Sequence, residues 1–411
     1  MAIEIFPCRL SGEVGLPPSK SLTHRALFLA SMSPDESLIF PWEGSLDLEA
    51  SCRGLASLGA KIQEREGGLL VHGPLAGRGQ GRESDEEPIL IQVGESGTSL
   101  RFLIAQAMVM DRPVLFEGEG RVMDRPLSPY RDLFQSLGLV FEREGKYLRI
   151  KGPLKAGDFV LPGHISSQFL SGLLLALPRL EGRSRLKVTK PLVSRPYLQM
   201  TLDLMREFGL TYDLQEGEDE IIFILECPQE VRGRRLEIEG DYSNAPALAI
   251  FNAIGGRVTL KGLGKSTIQG DRVFSDHFSR LMEGDVTIDL TDTPDLAPLL
   301  FSLAAVQHGA TFTGTDRLKD KESSRAEAMQ KELGKLGISL TIGQDRVRVK
   351  SGEIQPPQVP LDSHGDHRLV MALIPLLTLT GGILTGEDAV EKSFPSYFQK
   401  LASLSLRYRH I

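Results

Sequence analysis

Apolar side chains fall along this chain in two kinds of run. Residues 25–31, 100–107, 169–177, 245–254, 296–305 and 369–377 are apolar on almost every helical face, and each run follows a short polar or glycine-containing cap. The caps begin near Ser19, Ser96, Ser166, Ser243, Asp292 and Asp366. A helix with no polar stripe has no side to give to water, so these runs predict buried helices. Roughly thirty residues after five of the caps, apolar residues recur at helical spacing beside a polar face, and the last cap has a close equivalent near residues 395–404. Five of these amphipathic segments stop at Gly59, Gly138, Gly209, Gly284 and Gly337, which predicts a left-handed glycine closing each helix. Alternating segments follow. After Gly337, for example, Ile338, Leu340 and Ile342 alternate with Ser339 and Thr341, and residues 346–350 alternate again, the period of a strand.

The caps lie roughly seventy to eighty residues apart, with one gap of about fifty, and such a period marks a repeated supersecondary element. Each repeat reads strand, buried helix, strand, amphipathic helix, two strands, so the expected fold class is α+β (α/β in some schemes) built from βαβαββ repeats. Three repeats precede the charged stretch 229–235 and three follow it. A length of 411 residues also exceeds one compact core. Two domains of three repeats are therefore expected, 17–234 and 1–16 with 235–411, with an active site in the cleft where they face each other. Pro17 and Pro18 mark one crossing between them.

Composition changes this picture mainly by exclusion. A net charge of -7 argues against nucleic acid and anionic membranes as partners, because affinity for both rests on basic surface. Cys8, Cys52 and Cys227 form no C-x-x-C pair, so neither a disulfide framework nor a thiolate zinc site is expected, and a reducing cytoplasm fits. The first ten residues lack the basic and apolar regions of a signal peptide. The most apolar stretch, 369–384, is interrupted by Pro375, Gly381 and Gly382, so no membrane span is expected.

The caps carry cations. Lys20, Arg25, Arg101, Arg125, Arg195, Lys321, Arg325, Arg368 and Lys392 lie in or beside them, mixed with Ser21, Gly97, Thr98, Ser166, Ser167 and Gln168. A helix N-terminus offers unpaired N–H groups and positive dipole, so these residue types there predict sites for a ligand with several phosphates or carboxylates. Each has a plainer reading: the serines as N-caps, the glycines as a tight turn, Arg195, Arg325 and Lys392 as solvated helix-end cations. His364 beside Gly365-Asp366-His367 lacks a third metal ligand nearby, and no metal is expected. The G-L-G-K-S at 262–266 has Thr259 where a phosphate-binding loop needs its first glycine.

Taken in order, the caps resemble those of the 3-phosphoshikimate 1-carboxyvinyltransferases, the EPSP synthases, over nearly the whole chain. Lys20, Ser21 and Arg25 in P-S-K-S-L-T-H-R-A are similar to that family's opening motif, Gly97, Thr98 and Arg101 in G-E-S-G-T-S-L-R to its phosphoenolpyruvate loop, and Arg125 in R-V-M-D-R-P-L to a further arginine for that substrate. Ser166, Ser167 and Gln168 in S-S-Q-F-L, with Ser194 and Tyr197 in V-S-R-P-Y, resemble its shikimate 3-phosphate site. In the second half Asp295 in T-P-D-L-A, Lys321, Glu322 and Arg325 in D-K-E-S-S-R, Arg368 in G-D-H-R and Lys392 in E-K-S-F-P complete the match. Three positions depart from the family: Glu95 stands for its usual Asn, Thr23-His24 for Ser-Asn, and Ser324 for Asp.

The resemblance implies an inside-out α/β barrel in each domain and transfer of the enolpyruvyl group of phosphoenolpyruvate to the 5-hydroxyl of shikimate 3-phosphate, in aromatic amino-acid biosynthesis. It implies catalytic roles for Lys20, Asp295, Glu322 and Lys392. Lys20, Ser21, Arg25, Ser166, Ser167, Gln168, Ser194, Tyr197, Asp295 and Lys321 would hold shikimate 3-phosphate. Lys20, Gly97, Thr98, Arg101, Arg125, Gln168, Arg325, Arg368 and Lys392 would hold phosphoenolpyruvate. No cofactor is expected, and the chain is expected to be a monomer. Gly97 is expected to leave room for glyphosate, the family's compact inhibitor, and Glu95 to turn toward a cation such as Arg101 or Lys20. A UDP-sugar enolpyruvyl transferase is the nearest rival, expected to carry Asn where Ser21 stands and a loop cysteine absent between Cys52 and Cys227. RNA-end-processing proteins of related fold are a second rival, opposed by the acidic balance.

Overall fold

The computed structural model describes residues 2–73, 87–264 and 266–411; Met1 and Lys265, which enter the readings above, lie outside them. The chain divides into two compact units, Lys20–Ile238 and Met1–Ser19 with Glu239–Ile411. Both crossings fall a few residues beyond the expected ones. Arg235–Glu237 pairs in parallel with Ser37–Phe40, which keeps the chain with the first unit past residue 234, and Pro18 bridges to Gly240 in the second.

Six helices lie in the unit Lys20–Ile238 among its described residues: α1 (Lys20–Ala30), α2 (Leu46–Ser57), α3 (Gly97–Met108), α4 (Ser128–Ser136), α5 (Ser167–Ala176) and α6 (Arg195–Glu207). The apolar runs form α1, α3 and α5, whose residues are almost all buried, while α2, α4 and α6 bury one face. Buried helices pack closely. Phe28 and Phe102 meet edge-on at 5.3 Å, and Gly172 lets α5 approach α3 so nearly that a Cβ there would sit 3.1 Å from the Arg101 carbonyl. Three four-stranded sheets flank these helices, each with one parallel pair and two antiparallel pairs. The parallel pair needs a crossover, and α3 and α5 supply it in two of the sheets. In the remaining sheet Arg235–Glu237, far along the chain, takes the place of a strand before α1.

The other unit repeats the plan with α7 (Pro246–Ala253), α8 (Phe274–Glu283), α9 (Ala297–Val306), α10 (Arg325–Lys335), α11 (His367–Thr380) and α12 (Tyr397–Ser403). Here α7, α9 and α11 are the buried helices, and the Ser302 hydroxyl donates to the Ala372 carbonyl at 2.8 Å between the last two. The chain's first strands belong to this unit. Ala2–Ile5 lies between Gly382–Thr385 and Tyr408–His410, and Ser11–Gly15 pairs in parallel with Arg257–Lys261. Among the described residues no helix is long and apolar enough to cross a membrane.

The glycine stops come out with one exception. Gly59, Gly138, Gly209 and Gly337 are left-handed, with φ of 104°, 67°, 87° and 80°. Gly284 instead has φ 170°, extended backbone that any residue adopts. It is the first residue past its helix, still donating to Arg280, and the chain runs straight on into Val286–Asp289.

Candidate functional site

In the unit Lys20–Ile238 the predicted cations collect at the N-terminal ends of α1, α3 and α5. Ser96 and Ser166 cap α3 and α5, accepting from the Ser99 and Gln168 amides at 3.2 and 3.3 Å, so both serines are N-caps. The Arg101 guanidinium donates to Gln168 Oε1 at 2.6 Å, and Gln168 Nε2 donates to Thr98 Oγ1 at 2.8 Å, which ties the two helix ends together. The space beside Gly97 is not empty: a Cβ there would press into the Arg125 guanidinium and lie 2.8 Å from Arg101 Nη1. Two guanidinium groups thus lie against a bare backbone turn at a helix N-terminus, an arrangement that favours a phosphate or carboxylate.

Lys20 joins this cluster through Asp47, which the sequence reading missed. Its ammonium lies 2.7 Å from Asp47 Oδ2, and the Asp47 carbonyl accepts from Ser99 Oγ at 2.9 Å. His24, one of the departures from the family pattern, contacts Ser51 Oγ at 2.9 Å, and Ser51 contacts Ser99 at 2.8 Å. Burial first, and then the charges of Lys20 and Arg25, hold His24 well below the usual imidazole range, so it is neutral. Glu95, another departure, folds over Gly120, where a Cβ would lie 2.5 Å from its Oε2.

Arg25 is turned inward. It is 2% exposed and donates to Thr201 Oγ1 at 2.7 Å, the Ser21 carbonyl at 2.8 Å and the Tyr197 carbonyl at 2.9 Å, with Thr201 donating in turn to Ser171. Burial lowers its pKa to about 10, which still leaves it charged near neutral pH. These bonds bring Ser21, Arg25 and Tyr197 together, with Ser194 one turn before Tyr197 in a left-handed conformation, φ 53°. Ser167 is buried at the start of α5. Arg195, by contrast, makes a two-pronged surface pair with Glu216 at 2.8 and 3.2 Å.

In the other unit, Asp295, Lys321, Glu322, Arg325, Arg368 and Lys392 surround the starts of α10 and α11. Arg325, 1% exposed, is held by three carboxylates: Asp295 at 2.8 Å, Glu322 at 2.8 Å and Asp366 at 2.9 Å. Asp366 also caps α11, accepts from Ser323 Oγ, and so fixes the residue before Arg368's turn. Lys321 lies 2.9 Å from Asp295. Loss of hydration pushes Asp295 up, but Lys321, Arg325 and Arg368 together outweigh it and hold the carboxyl well below the usual range. Burial lowers the Lys321 ammonium, against the pull of Asp295. Arg368 donates to Asn244 Oδ1 at 3.0 Å and to the Ser243 carbonyl, while its buried Nε has no hydrogen-bond partner among the described residues. Lys392 donates to the Gly365 carbonyl at 2.6 Å.

Asp47, Asp366 and Asn244 escape sequence reading as partners because their contacts span 27, 41 and 124 positions. The Ser45-Leu46-Asp47 turn at the start of α2 was the only local signal for Asp47.

Comparison with known proteins gives the family. The profile of the family described as EPSP synthase (3-phosphoshikimate 1-carboxyvinyltransferase) matches residues 6–291 and 286–401. A 3-phosphoshikimate 1-carboxyvinyltransferase of Clostridium acetobutylicum is 35% identical over 98% of this chain and 97% of its own length. That of Clostridium kluyveri is 34% identical, with 98% and 97% covered. The solved structure of the Acinetobacter baumannii EPSP synthase superposes with a TM-score of 0.76 at 22% identity over the whole of both chains, which speaks for the fold. The chain belongs to the EPSP synthase family.

Proposed function

We propose that this protein transfers the enolpyruvyl group of phosphoenolpyruvate to the 5-hydroxyl of shikimate 3-phosphate, releasing inorganic phosphate. The observation that carries the reading is the bare Gly97 turn at the start of α3 with the Arg125 and Arg101 guanidinium groups against it. In this reading that turn, with Lys20, Thr98 and Gln168, receives phosphoenolpyruvate, and Arg368 and Lys392 complete its cation set. Shikimate 3-phosphate is held by Lys20, Ser21, Ser166, Ser167, Gln168, Ser194, Tyr197 and Lys321. The 5-hydroxyl gives up its proton to a base as its oxygen adds to C2 of the enol, and an acid delivers a proton to C3. Loss of that proton with departure of phosphate from C2 then leaves the enol ether.

Arg25 and Arg325 act mainly by holding others. Arg25 donates to Thr201 and two carbonyls, and Arg325 holds the Asp295 and Glu322 carboxylates in place. Asp295, so strongly stabilised as an anion, is a weak base until Lys321 turns to a substrate anion. Lys321, with its pKa lowered by burial, is suited to give up that contact and to move a proton. The protein works as a monomer in the cytoplasm and without a metal. Purified protein given both substrates in a strong chelator should release phosphate, and a sedimentation run should show one chain per particle. Release that needs a divalent metal, or that occurs only with a UDP-sugar as acceptor, would refute the reading.

A further inference from the structure

Glu332 sits two turns along α10 from Arg325, is fully buried, and accepts three donors: His364 Nε2 at 2.9 Å, Lys335 Nζ at 2.6 Å and the Asp362 amide at 2.9 Å. Since a carboxylate only accepts, His364 Nε2 carries the proton in this contact. His364 itself has φ 52°, a left-handed conformation that is costly for a residue with a side chain, and Gly365 follows at 65°. Two bonds keep His364 there: the one from its ring to Glu332, and one from its amide to Asp362 Oδ1 at 2.8 Å. The result is the orientation of the next carbonyl, that of Gly365, which receives the Lys392 ammonium at 2.6 Å. The residue after Gly365, Asp366, is gripped by Arg325, so α10 pins this loop at both His364 and Asp366.

We propose that His364, clamped by Glu332, is a positioning residue that sets the Gly365 carbonyl and through it the ammonium of Lys392. The inference rests on the reading above, in which Lys392 touches phosphoenolpyruvate. It assigns work to a histidine that the sequence offered only as half of an unfilled metal pair, and to a glutamate that no cap motif contains.

His364→Gly keeps the left-handed turn without strain but deletes the clamp, and His364→Gln restores an N–H donor toward Glu332. Steady-state kinetics should show kcat falling about tenfold or more in His364→Gly at nearly unchanged thermal midpoint, and recovering in His364→Gln. In a Lys392→Ala background, His364→Gly should change the rate no further, because residues acting through one another are not additive. Equal fold losses with and without Lys392, or wild-type rates in His364→Gly, would overturn the proposal. A second readout needs no turnover: trinitrobenzenesulfonate labelling of the ligand-free protein, followed by peptide mass spectrometry, should modify Lys392 faster in His364→Gly than in the wild type or His364→Gln. An unchanged labelling rate also overturns it. If the wild type released no phosphate at all, the functional reading would fail, and the labelling would still decide whether His364 positions Lys392.

Discussion

At the residue scale, two positions show how a local departure is absorbed. His24 stands where the family pattern has Asn, inside a buried helix between Lys20 and Arg25, and it stays neutral there because a second charge would be neither hydrated nor paired. Its pKa is lowered on folding, so below about 6.5 the unfolded chain binds a proton that the folded chain refuses. Stability should therefore fall as pH drops below that value, by at most about 1.4 kcal/mol per pH unit from this residue. His24→Asn should flatten the slope between pH 6.5 and 5 in urea titrations; an unchanged slope would mean that His24 is protonated in the fold. At Gly97 the sequence suggested empty room, and the structure fills it with arginine. Gly97→Ala should push the Arg125 guanidinium aside and raise the KM for phosphoenolpyruvate about tenfold or more, with kcat less affected. A KM within twofold of wild type would show that Arg125 does not serve that substrate.

At the scale of elements, hydrophobic periodicity identified the helices well because burial is written into composition. A run such as 296–305 has no polar side to expose, and α9 is buried along nearly its whole length. Sequence spacing could not say how helix ends meet. Asp366 looked like one more N-cap, yet it joins two helices: it caps α11 and takes the buried guanidinium of Arg325 at the start of α10. Asp366→Ala takes the N-cap from α11 and one of three carboxylates from the buried Arg325, so it should lower unfolding stability by about 2–5 kcal/mol, a loss measurable by denaturant titration. A loss below about 1 kcal/mol would place the pair among hydrated surface pairs. Serine caps differ in kind, since Ser166 satisfies only its own helix's amide.

At the scale of the whole molecule, the chain's two ends are joined in one sheet, where Ala2–Ile5 lies between Gly382–Thr385 and Tyr408–His410. Deleting residues 2–9 should strip hydrogen-exchange protection from those two strands and leave the sheets of Lys20–Ile238 protected. Equal loss throughout would mean that the two units unfold as one. The sequence by itself determined the repeats, the buried and amphipathic helices, the acidic balance and the gathering of cations near helix starts, because these follow from periodicity, composition and local motif chemistry. Only tertiary structure decided what each cation does. What a guanidinium holds, whether Gln168 for Arg101, Thr201 and the Tyr197 carbonyl for Arg25, or Asp295 and Asp366 for Arg325, depends on acceptors tens to hundreds of residues away. The same holds for His364, whose role follows from a buried Glu332 on another helix. Burial makes each such acceptor matter, because a charge out of water must find its partner in the fold, and sequence spacing does not record which partner folding brings to it.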